Sequence, residues 1–134
     1  MIKLSRYDDL GKLIVRLAVG ALILFHGVHK VLNPASLDSI RKMLVSANLP
    51  LLLAYGVYLG EIVGALMVIL GVYSRIGGLL IAGNMLFAFA LAHRAQIFTL
   101  TSTGGWALEL QAFFLLSGLA ILFLGSGRLA VKPD

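Results

Sequence analysis

Long apolar runs alternate with short polar breaks along this chain. The first run, roughly 11–32, reads GKLIVRLAVGALILFHGVHKVL, and further runs cover about 51–73, 76–92 and 106–124. Each has close to the length an α-helix needs to cross hydrocarbon, about 20 residues. The pattern predicts an all-α membrane protein, a four-transmembrane-helix bundle forming one domain over 1–134. The break after the first run has its own pattern. Asn33-Pro34 is a helix start, with Asn as N-cap and Pro as first helical residue. Leu37, Ile40, Met43 and Leu44 follow at helical spacing, and Asn48 and Pro50 close the segment. This predicts a short interfacial helix over about 34–47, too short to span, lying as a lid between spans one and two. Tyr73-Ser74-Arg75 is a very short turn, so spans two and three pack antiparallel. Residues 95–105 are polar and turn-rich, and Trp106 marks an interface.

Small residues add a second pattern inside the runs. Gly20 and Gly27 share a stripe with Arg16, Ile23 and Lys30, which predicts a face turned towards other helices. Arg16, about one turn inside the first span, is expected to snorkel to the headgroups. Gly56, Gly60 and Gly64 repeat every four residues along the second span. Close packing, within the bundle or across a homodimer, is the plain reading; room for a flat ligand is the sharper one.

Composition supports the membrane. Charged residues make up 13% of the 134, against about 25% in a soluble domain, and mean hydropathy is +0.98. There is no cysteine, which excludes disulfides, thiolate nucleophiles and Cys-ligated clusters. The net charge of +5 does not indicate nucleic acid, because the basic residues fall singly at the ends of apolar runs. The N-terminus, with Asp8 and Asp9 and no small-residue cleavage site, does not read as a signal peptide. Lys3, Arg6, Lys12, Arg16, Arg75, Arg128 and Lys132 on one side outnumber Lys30, Arg41, Lys42 and Arg94 on the other. That bias predicts both termini in the cytoplasm.

The chemistry lies in the ionisable residues of the spans. At ~1.5 Å per residue, Glu61 sits about 15 Å below the outer end of span two, and His26 about 9 Å below that of span one. Glu109 lies about 5 Å in, with Lys30 and His93 at the rim. A carboxylate at the midplane costs at least ~3 kcal/mol, so a functional role is the default reading. Glu61 either pairs with Lys30 or a histidine, or carries a proton. His26 beside Glu61 suits a hydrogen-bonded pair that moves protons. Asn84 is a further polar residue near mid-depth. The histidines do not favour haem, since they lie at different depths, and no HxxxH or HExxH spacing supports a metal.

These residues carry a resemblance. The pieces RLAVGALILFHGVHKVLNP, GEIVGALMVILGVYSRIGGLLIAG, the His93 end of span three and GGWALELQAFFLLSGLAILFLGSGR resemble, in order, the DoxX family of small bacterial membrane proteins. The strongest signals are His26-Gly27 with Lys30, and Glu61, Gly64, Leu70-Gly71 and Arg75. The resemblance implies a four-helix protein of the bacterial inner membrane, with His26, Lys30, Glu61 and Arg75 as family-type polar positions. The family takes its name from a thiosulfate:quinone oxidoreductase, and some relatives are associated with redox or oxidative-stress complexes.

The resulting expectation is a redox-linked subunit binding a quinone or other lipophilic ligand in an outer-half polar pocket. Glu61 and His26 would be its catalytic residues, and Lys30, His93, Glu109 and Arg75 its ligand-binding residues. With no electron carrier visible, a redox or membrane protein partner would deliver electrons. The alternatives are a non-catalytic binding or assembly module, and a small transporter working as a homo-oligomer.

Overall fold

A computed structural model describes residues 7–91 and 94–134. Helix α1 is Asp8–Leu32, and a 3-10 turn, Pro34–Leu37, leads into α2, Asp38–Ser46. Helix α3 is the continuous helical run Leu51–Leu70, α4 is Ser74–Leu91 and α5 is Glu109–Leu124. The core between them is apolar, with Ile23, Ala65, Val68, Ile81 and Ile121 fully enclosed. The outward faces carry large apolar side chains such as Phe25, Leu52, Phe113 and Phe123, as lipid contact requires.

α1, α3 and α4 are long and apolar enough to cross a membrane. α5 is apolar but has only 16 residues, or about 24 Å of rise. It starts later than the sequence pattern predicts because residues 97–107 form a compact loop. Leu100 bridges Trp106, Ala107 N donates to Thr99 O, and Trp106 Nε1 donates to Ile97 O at 2.8 Å. The Trp106 ring stacks on Phe89 of α4.

α3 ends at Leu70, three residues before the expected boundary, because Gly71 turns left-handed at φ +74°. Gly71 N and Val72 N both donate to Met67 O. Tyr73, at φ +48°, completes the turn into α4.

Arg16 does not snorkel. It is 1% exposed and donates to Val68 O, Ile69 O, Ser126 O and Leu129 O at 2.8–3.2 Å. The last carbonyls of a helix lack partners of their own, and cations favour that end of the dipole. Arg16 of α1 thus caps the C-terminus of α3 from a neighbouring helix. Residues 125–134 close over the same end. Lys132 N donates to Gly71 O, and the Asp134 carboxylate accepts from Arg75 N and Ser126 N.

Candidate functional site

His26 and Lys30 lie four residues apart on one face of α1. Glu61 faces them from α3, where the helix changes character. Leu59–Gly64 is π-helical, a local widening that is frequent at functional sites of other proteins. The widened turn brings the Glu61 carbonyl against α1. A Cβ on Gly27 would stand 2.7 Å from that oxygen, so only glycine admits the approach. On the opposite side Gly60 lies directly against the Asn84 side chain of α4. Gly27 and Gly60 therefore bring α1 and α4 close around the residue that carries the acid.

The ion pair is close. Lys30 Nζ donates to Glu61 Oε1 at 2.6 Å and to Oε2 at 2.7 Å. The Glu61 side chain is 5% exposed and that of Lys30 25%. Lys30 O also lies 3.4 Å from the Tyr58 hydroxyl, which donates to it. Such a pair needs good geometry to offset its desolvation, and the two short contacts supply it.

The pair forms part of the wall of a cavity of about 350 Å³. Ile23, Val57, Met85 and Phe114 provide apolar walls, and Ser36, Ser39, Ile40 and Met43 cover it from the turn before α2 and from α2 itself. The lid is anchored by Leu37 and Leu44, both fully buried, and by Arg41, which donates to the Tyr55 hydroxyl at 3.2 Å. Arg41 lies outside the spans; the Tyr55 hydroxyl, then Asp38, raise its pKa.

Several polar groups line this cavity without protein partners among the described residues. Ser36 Oγ is buried and makes no hydrogen bond. The amides of Asn84 and Gln111 line the cavity, and neither pairs with a described residue. His26 stands edge-on to Phe114, with centroids 5.9 Å apart, and also lines the space. Of these only the Ser36 Oγ atom is fully buried, while Asn84 and Gln111 are half-buried and His26 is exposed; together they offer free bonding groups to an occupant of the cavity.

The structure brings His26, Lys30 and Glu61 to one cavity. The expected His26–Glu61 hydrogen bond does not form; the carboxylate pairs with Lys30 through both oxygens instead. Glu109 is exposed and folds against Gly105, while the next residues, half-exposed Leu110 and half-buried Gln111, contribute to the cavity lining. Arg75 lies at the opposite end of the bundle, where it donates to Leu122 O and Phe123 O and caps α5. His93 lies outside the described residues. Among those that are described, no group of three His, Asp or Glu side chains comes together to hold a metal. Sequence reasoning missed Gln111 and Ser36 and left Asn84 without a role. A polar residue within an apolar run was the available signal for Asn84 and Gln111. Ser36 gave none, since it sits in a polar turn.

A family model described as DoxX matches residues 11–94. The chain belongs to the DoxX family. An uncharacterized protein of Haemophilus influenzae is 28% identical over 135 residues, covering 98% of this chain and 95% of that protein. No solved structure matches. Family membership and the three apolar helices assign this DoxX protein to a membrane. The matched segment holds His26, Lys30, Glu61 and Asn84, while Gln111 and Phe114 of the cavity lie beyond it.

Proposed function

We propose that this DoxX protein is a four-span protein of the bacterial inner membrane that binds a quinone, or a lipophilic ligand of like chemistry, in the cavity beside Lys30 and Glu61. Both termini would face the cytoplasm, with α2 lying in the outer interface. The observation that carries the reading is the combination of an apolar cavity, a buried ion pair and unpaired donors in one place. Its volume of about 350 Å³ lies within the range of small-molecule sites. The donor set suits a flat ring with carbonyl acceptors. Lys30 and the Asn84 and Gln111 amides can donate to those oxygens, and the apolar walls can take the ring. Glu61, already hydrogen-bonded to Lys30, would supply or accept the proton that accompanies electron transfer. His26 lines the same space and is a second proton carrier. With no cysteine in the chain, no thiol couple carries electrons, so a partner subunit would deliver them.

The test is equilibrium binding of a quinone to the purified protein in lipid nanodiscs. Saturable binding by the wild type, weakened by Glu61→Gln and by Asn84→Leu, is expected. A wild type that binds no quinone saturably would refute the proposal.

A further inference from the structure

A second space adjoins the cavity. Between α3 and α4 runs an apolar groove of about 240 Å³, lined by Leu53, Gly56, Leu59, Leu79, Leu80 and Gly83. Asn84 and Phe87 line both the groove and the cavity. Leu53, Leu59 and Leu79 on the flanks are exposed, so the groove opens sideways on the lipid-facing surface.

Two glycines leave this groove empty. Gly60 and Gly64 sit between the same helices and are filled, by Asn84 and by the Gly77 carbonyl with Leu80. A Cβ on Gly56 or Gly83 would meet nothing within 4 Å. Within this chain these two positions therefore do not serve helix packing; they remove side chains from a strip that continues to the cavity wall.

A second depression that shares lining with the cavity is of different character. Ser39, Met43 and Leu91 line both the cavity and an outer-face depression bordered by Lys42, Ser46 and Arg94. Hydrocarbon led out there would meet two cations. Hydrocarbon led past Asn84 and Phe87 would meet leucine and glycine only.

We propose that the groove holds the hydrocarbon tail of the ligand whose polar head occupies the cavity. The ligand is then a long-tailed membrane amphiphile that enters sideways from the bilayer. This rests on the ligand-binding reading above and adds the class of ligand and its route. Lipid chains are as apolar as leucine, so the groove gains little by burying a tail as such. It selects by position: the head fixed near Lys30 and Glu61 brings the tail to one strip of the surface.

The test is photolabelling in nanodiscs with a benzoquinone whose long alkyl tail carries a diazirine. Binding of the same headgroup without a tail is measured alongside. The expected result is label concentrated on the groove residues of α3 and α4 and displaced by unlabelled tailed quinone. Gly83→Leu, and independently Gly56→Leu, should abolish that label while leaving headgroup binding and thermal stability as in the wild type. Label spread evenly over the lipid-facing surface, or unchanged by both substitutions, overturns the inference. So does equal labelling of the groove by a diazirine phospholipid that quinone does not displace, since the occupant is then bulk lipid. Absence of saturable headgroup binding by the wild type overturns the underlying function as well.

Discussion

Removing either partner of the Lys30–Glu61 pair should destabilise the bundle, but by unequal amounts. Lys30→Met strands a carboxylate whose side chain is only 5% exposed. Breaking a buried pair in this way costs about 3–5 kcal/mol. Glu61→Gln strands an ammonium group that is 25% exposed and adjoins the cavity, and the glutamine oxygen can still accept from it. The loss should lie near the low end for a charged hydrogen bond, about 1.5 kcal/mol. In the double variant Lys30→Met/Glu61→Gln no charge is stranded. What remains is a buried amide with too few partners, at about 1–3 kcal/mol. The double variant should therefore be more stable than Lys30→Met alone, and its cost should fall below the sum of the single costs. Equilibrium unfolding by SDS in mixed micelles measures this order, followed by the fluorescence of Trp106, the one tryptophan in the chain. Glu61→Gln costing as much as Lys30→Met would refute the reasoning. Strictly additive single costs would refute it too, because the pair would then contribute no coupling.

Three further predictions rest on other parts of the fold. Gly27→Ala places a methyl 2.7 Å from the Glu61 carbonyl and should cost about 1–3 kcal/mol in the same assay. Gly56→Ala, helical at φ −59° with open space around it, should be neutral or stabilise by about 0.4–1 kcal/mol. Arg16→Gln should cost at least about 3 kcal/mol, because charged hydrogen bonds to four carbonyls are lost at once. It should also speed tryptic cleavage after Arg128, since Arg16 holds the Leu129 carbonyl. At the turn between α3 and α4, the hydrogen bond from Lys132 Nζ lowers the pKa of Tyr73. That favours the ionised phenol in the folded state. The contribution is present above the unfolded tyrosine pKa and is lost as pH falls through the folded value, somewhat below pH ~10. Absorbance titration should show one early-ionising tyrosine that Lys132→Met shifts upward and Tyr73→Phe removes.

Much of the helical plan was legible in the sequence. The Asn33-Pro34 start and the apolar spacing of Leu37 and Leu44 marked the short helix that covers the cavity. The association of Lys30 with Glu61 was an open alternative, because a buried acid needs a partner and three groups were in range. Arg16 and Arg75 were harder to read. Both lie near span ends, where snorkelling or ligand contact is the ordinary expectation. What they cap is a neighbouring helix, and no local pattern reveals which carbonyls another segment leaves unpaired. Residues 125–134 lie beyond the last apolar run, yet they provide the Ser126 and Leu129 carbonyls and the Asp134 carboxylate that complete the end of the bundle where α3 stops.

By itself the sequence determined that this chain lies in a membrane, which stretches are helical, and that an acid stands near the middle of one of them. Hydropathy and 3.6-residue periodicity are local properties, and the bilayer allows few other ways to satisfy the backbone. The tertiary structure decided which glycines pack and which leave space, because a missing side chain looks the same in sequence whether a neighbour fills the gap or not. It also decided that Asn84, Gln111 and Ser36, from three separate segments, meet around Lys30 and Glu61. Their convergence depends on how α1, α3, α4 and α5 pack, and on one widened π turn that turns Glu61 towards the cavity they share.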